Sequence, residues 1–275
     1  MNVPQTRADD VASALFAHPG HELLVCTTLS DLSATVSFMS DGSGGQGEDR
    51  SAYSIELIAD CGCRLGPVAG HAPDRAFYDA IMAGDASFFS GIVEAVIEDL
   101  IATGTTVLIT DPMEYFNPLH DLANTIADIA IVRVGRYGRN IVKFVYPNEY
   151  PELFDPAAAA LRRDLCAEDR DLVDERGERY LPLRAEKQRF QETGKLAGRS
   201  CELLFADPVR LADVPLPSET IFKRAFYEEY GSQAVAAGRY SRHLTFQDHV
   251  LPLTRELVAR EAGELAVSQS TGIGL

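Results

Sequence analysis

The first 150 residues alternate short buried-strand patterns with helical ones, and few architectures accept that order. "SALF" (13–16) and "ATVSFMS" (34–40) read as strands, and "TTVLITD" (105–111) as a buried strand ending at Asp111. "RNIVKFVYP" (139–147) is a further strand, closed by Pro147. Residues 74–103 place Phe77, Ile81, Phe88, Phe89, Ile92, Val93, Val96, Leu100 and Ile101 at helical spacing, with Gly104 as a stop. "NPLHDLANTIADIAI" (117–131) reads as a helix with Pro118 in its first turn. "SAYSIELIAD" (51–60) suits helix or strand. This order predicts an α/β fold: a Rossmann-like three-layer sandwich with a mostly parallel sheet.

Beyond Tyr150 the texture changes. Residues 156–195 are charged and helix-rich with mixed signs, which suits a solvated helical segment. Residues 205–220 are Pro-rich and loop-like, 226–257 return to aromatic and apolar patterning, and 268–275 read as frayed. The expected organisation is a Rossmann-like metal-site domain over 1–150 and a helical or mixed C-terminal region over 151–275 packing on the same domain.

Charge narrows the partners. With 25 basic and 41 acidic residues the net charge is −16, which disfavours nucleic acid and anionic membrane, since phosphate binding needs clustered Lys and Arg. No apolar run reaches bilayer length, and the start lacks a basic region followed by a long apolar core. Five cysteines, an odd count, suit reduced thiols. The expectation is a cytoplasmic protein acting on a small molecule, with homo-oligomerisation left open. The Cys61-x-Cys63 pair has no second pair and reads as thiols at an element end, and Cys26 as core.

Of six histidines, His18 and His21 sit three apart in "FAHPGHELL", directly after the first strand. His120 stands at the start of the helix after the 105–111 strand. In parallel sheets, ligands sit at the C-terminal ends of strands. Three histidines on such loops suit a zinc ion, which takes three protein ligands and keeps a fourth position for water or substrate. His71 could reach such a site from its loop, while His243 and His249 read as structural. "GSGGQG" (42–47) formally fits G-x-G-x-x-G, but no apolar helix opens from it, so it reads as a loop.

These segments resemble the PIG-L/LmbE-like de-N-acetylases. "FAHPGHELL" resembles that family's first-strand motif, A-H-P-D-D-E; "EYFNPLHDL" resembles its later H-P-x-H segment; "SFMSDGSGG" resembles its second strand and T-D-G loop. The resemblance implies a metal-dependent hydrolase of C–N bonds, removing an acyl group from an amino sugar or another N-acylated small molecule. His18 matches the first histidine ligand and His120 the last, while His21 replaces an aspartate ligand. The resulting three-histidine site suits zinc, with iron(II) or another divalent metal open. Asn117 stands where the family usually has another histidine, and Tyr115 matches a tyrosine that supports the oxyanion.

Gly20 occupies the place of the general-base aspartate, and glycine cannot accept a proton through a side chain. Asp111, Glu114, Asp41 and Glu22 are candidates to replace it, with Asp111 and Glu114 favoured because they follow a strand end beside His120. Glu22 reads first as a partner of backbone N–H groups in its own turn. Asp41 and Arg50 are candidate substrate-binding residues of the substrate-facing loop. Two other readings stay open: a non-catalytic metal- or sugar-binding protein on the same scaffold, and a three-histidine metal enzyme of different chemistry.

Overall fold

A computed structural model describes residues 10–44, 48–184, 200–211, 214 and 216–260. Five parallel strands form its centre: β1 (Ala12–Phe16), β2 (Thr35–Ser40), β3 (Arg64–Ala72), β4 (Val107–Thr110) and β5 (Val142–Val145). Two more, β6 (Leu161–Asp164) and β7 (Cys201–Ala206), extend the sheet antiparallel, giving the order β3-β2-β1-β4-β5-β7-β6. The helices are α1 (Cys26–Asp31), α2 (Ser51–Asp60), α3 (Asp74–Ala83), α4 (Ala86–Thr103), α5 (Pro118–Gly135), α6 (Ala167–Arg179) and α7 (Phe226–Ala236), with a last helix, α8, over 251–260.

Strands buried on both faces explain the near-continuous apolar runs in the sequence. In β1, Leu15 enters the larger core with α3, α4 and α5, while Ala12, Ala14 and Phe16 enter the opposite core with Val25 and Leu29. The larger core also takes Tyr227 of α7 and Leu251, Leu253 and Leu257 of α8. Residues beyond 150 therefore share the main core and complete the sheet.

Three segments differ from the sequence pattern, and a fourth, left open there, is settled. The helical run 74–103 is broken at Gly84, whose φ of +66° ends α3, and Asp85 then caps α4 by accepting from Ser87 and Phe88 N–H. Residues 51–60 are helix. β3 was not legible, because Gly66, Pro67 and Gly70 interrupt it and its pairing with β2 carries register shifts. The charged segment 156–195 contributes β6 and α6, and its residues 185–195, like 45–47 of the Gly-rich loop and 268–275 at the end, lie outside the described residues.

β1 pairs with β2 on one side and β4 on the other, and the chain winds outward from that pair in opposite directions. A crevice opens at such a reversal, beyond the strand C-termini. The turn after β1 carries His18 and His21; the turn after β4 carries Asp111 and leads to His120 at the start of α5. Among the described residues no helix is long and apolar enough to cross a membrane.

Candidate metal centre

Phe16 ends β1, and the chain turns sharply through Pro19 and Gly20 into a single 3-10 turn, His21–Leu24. Gly20 has φ +105°, a conformation that disfavours side chains. Its N–H donates to Glu22 Oε2 at 2.9 Å and lies 3.0 Å from Ser54 Oγ, while Ser54 also donates to Glu22 Oε1. The turn is thus tied down from beneath.

The turn brings His18 and His21 beside His120. Their ring centres are 5.5 Å apart for His18–His21, 5.3 Å for His18–His120 and 4.6 Å for His21–His120. Zinc–nitrogen bonds of about 2.0–2.1 Å plus about 1.1 Å to the ring centre place centroids about 5.2 Å apart around a tetrahedral ion. The observed spacing suits that geometry. His18 Nδ1 lies 3.1 Å from Asp74 Oδ1 and 2.9 Å from Ser40 Oγ; His21 Nδ1 lies 2.8 Å from Asp111 Oδ1. Imidazoles whose Nδ1–H is held by a carboxylate present Nε2 as the lone-pair donor, the usual second shell of a metal-ligating histidine. His120 Nδ1 has only a long 3.4 Å contact to the Asn148 amide, so its tautomer is the least constrained.

The donor atoms are not closed on one point. Among the described residues no three His, Cys, Asp or Glu side chains stand ready around an ion, and Asn117 Nδ2 lies 3.1 Å from His18 Nε2. Ring spacing and tautomer, rather than converged donor atoms, are what fit a divalent cation.

Electrostatics agrees with this arrangement. Burial works to raise the Asp111 carboxyl, but the charge and hydrogen bond of His21, with His120 and Tyr146, hold it below the ordinary carboxylate range. Asp74 is likewise depressed by His18 against the opposing effect of burial. His120 is pushed well below the ordinary histidine range by burial, and then by His21, which favours the neutral ligating form.

The structure redistributes the expected carboxylates. Asp111 does not face the cleft: it is fully buried, accepting from Ala17 N–H (2.6 Å), His21 Nδ1 (2.8 Å) and Tyr146 OH. Its carboxylate holds the His21 ring from beneath and does not stand in the cleft, where a proton acceptor is expected. Glu114 turns inward to accept from the backbone N–H of Glu149 (2.9 Å) and Tyr150 (3.4 Å), tethering the loop after β5. Tyr115 is also drawn away from the cleft. Its backbone is left-handed at φ +55°, its N–H donates to Asp121, and its ring packs on Phe222 and Phe246 in the core. Asp41 accepts from Ser43 and Asp74 N–H and so shapes the loop without lining the cleft. Glu22 is buried beneath Gly20. His71 packs edge-on to Phe88 and does not join the other histidines.

The cleft above the imidazoles, about 400 Å³, is lined at this end by Arg50, Tyr78, Asp74, Asn117, Asn148 and Glu149. Asn117 caps α5, accepting from Leu119 N–H at 2.9 Å and from Tyr78 OH at 3.3 Å, which aims its NH₂ at His18. Asp74, Asn148 and Glu149 were missed in the sequence. Asp74 follows the unread β3 and opens α3, and the other two follow Pro147 in the loop after β5. A strand-end rule applied to β3 and β5 would have found all three.

The fold and this site define a three-layer α/β protein with an imidazole cluster at the topological switch point. No protein-family model matches the chain, and no curated protein matches its sequence. Among solved structures it matches the conserved protein TT1542 from Thermus thermophilus, with a TM-score of 0.50 at 16% identity, over 75% of this chain and 97% of that one. A40926 pseudoaglycone deacetylase Dbv21 aligns with a TM-score of 0.48 at 15% identity, over 71% of this chain and 96% of that one. The zinc-inhibited form of teicoplanin deacetylase Orf2 aligns with a TM-score of 0.43 at 10% identity, over 73% and 100%. The chain shares the three-layer α/β fold of TT1542, as the alternation of its strands and helices implied.

Proposed function

We propose that this protein is a metal-dependent hydrolase of C–N bonds that removes an acyl group from the nitrogen of a small hydroxylated amine, such as an amino sugar. The observation that carries the reading is the cluster of His18, His21 and His120 at the floor of the cleft, two of them held by buried carboxylates. A divalent cation, zinc by preference, held by these three residues would polarise the scissile carbonyl and lower the pKa of water beside it.

The chain's own residues supply the rest. Asp74 and Asp111 keep His18 and His21 in one tautomer. The amide NH₂ of Asn117 is aimed into the site and supports negative charge developing on the carbonyl oxygen. The family's carboxylate position at Gly20 is closed: a Cβ there would stand 2.5 Å from Leu183 Cδ1. Glu149, which lines the cleft next to Asn148, takes the proton from attacking water. The water oxygen bonds to the carbonyl carbon, the C–N bond breaks, and the proton passes to the departing amine.

The closed Gly20 position is also what favours the alternative, a binding protein without turnover. One experiment separates them. Purified protein is loaded with zinc, its metal content measured, and a panel of N-acylated amino sugars assayed. The hydrolase reading expects one metal per chain, turnover of at least one panel member, and loss of both in His18→Ala and His120→Ala. Full metal content in both variants removes the shared centre; bound metal without turnover leaves the binding protein.

A further inference from the structure

The cleft has a second end that deacetylation does not require. On the Gly20 side its wall is Leu23 and Leu24 from the 3-10 turn, Leu165 before α6, Val173 and Gly177 of α6, and Leu183 just beyond it; the one buried carboxylate there, Glu202, is held by the N–H groups of Thr27 and Thr28. Arg170, Val173, Asp174 and Gly177 are spaced i, i+3, i+4, i+7, so a single stripe of α6 faces the cleft. Val173 and the glycine form its apolar middle, while the exposed Arg170 and Asp174 stand at its rim. This apolar wall begins at the histidine turn itself, because Leu183 packs against the Cα of Gly20, with Tyr180 behind it.

We infer that this chamber is an acyl-chain subsite, and that the N-acyl group of the substrate is an alkyl chain longer than acetyl. The inference rests on the hydrolase reading and names its substrate class. The methyl of an acetyl group would leave the apolar wall from Leu23 and Leu24 to Val173 and Leu183 uncovered, and a longer alkyl chain would cover it. The amine cannot be the apolar partner. Once released it is a cation at neutral pH, which an apolar wall penalises and which the carboxylates of Asp74 and Glu149 at the other end accept. Placing the carbonyl over the imidazoles sends the amine toward Arg50, Tyr78 and Glu149 and the alkyl chain under α6. The same chamber accounts for Gly20, since any side chain there would intrude on Leu183 where the chain must enter.

The test uses neutral amides as probes with metal-free protein, so that binding is read apart from turnover. Titration calorimetry with butanamide, hexanamide and octanamide is expected to show affinity rising about fourfold per methylene, about 250-fold from butanamide to octanamide. Leu183→Asp, and independently Val173→Phe, which fills the chamber, are expected to abolish that gain while butanamide binding stays unchanged. Equal affinity across the series, or a gain that survives both variants, overturns the subsite. In parallel, zinc-loaded protein is assayed on acetyl, hexanoyl and octanoyl glucosamine. Length-dependent binding with no cleavage keeps the subsite and removes the hydrolase; acetyl cleavage with length-independent binding does the reverse.

Discussion

Asp111→Asn perturbs the centre without changing its volume, and the structure says how it fails. Three donors converge on the carboxylate: Ala17 N–H on Oδ2, and His21 Nδ1–H and Tyr146 OH on Oδ1. An amide offers one oxygen. If that oxygen stays with Ala17, the NH₂ faces His21 and Tyr146, and the imidazole must turn its Nδ1 lone pair toward it. The ring then carries its proton on Nε2, the nitrogen that a metal needs. Loss of such a partner typically lowers metal affinity 10–100-fold. If the oxygen serves His21 instead, the Ala17 N–H is left without an acceptor in a fully buried position, at about 1–3 kcal/mol, and the melting temperature drops by several degrees. Competition titration with a chromophoric zinc chelator, beside a thermal melt, reads both branches. Zinc affinity within twofold of wild type, at unchanged stability, would refute the assignment of Asp111 as the residue that orients His21.

Two further perturbations test other parts of the structure. Gly20→Asp introduces the carboxylate that the motif resemblance places there but meets Leu183 at 2.5 Å and a backbone φ of +105°; strain of about 1–3 kcal/mol is expected in denaturant melts, part of it relieved in the Gly20→Asp/Leu183→Ala double variant and none if Leu183 is not the obstacle. Glu114, raised by burial from 4.5 to about 7, binds its proton more tightly in the folded chain. Its contribution to stability is therefore present below about pH 4.5 and lost as pH rises through about 7, a displacement worth about 3 kcal/mol. Stability–pH profiles of wild type and Glu114→Gln should diverge in slope between pH 5 and 7, and parallel profiles would place the carboxylate in a solvated setting instead.

The motifs carried different amounts of information. β1, β2, β4 and β5 were readable because both faces of each are buried, so apolar content alone marks them. β3 escaped because an interrupted edge strand with Gly and Pro has no such signature, and Asp74 was lost with it. β6 escaped because its exposed, charged residues resemble the solvated helix that follows. The two histidine segments were readable as a pair, since each stands just past a strand end and adjacent parallel strands bring those ends together.

Local pattern thus settled the layered α/β architecture and the residues that meet at its switch point, because periodicity and strand ends are properties of a few neighbouring residues. It could not settle what each carboxylate does. The partner of His18 lies 56 residues away and that of His21 lies 90 residues away. Whether an acid faces the cleft or the core depends on which donors the fold brings to it. Asp111 and Glu114 met backbone N–H groups and turned inward; Leu183, from a segment with no motif at all, closed the space beside Gly20. Those outcomes are decided by long-range packing, which only the folded chain contains.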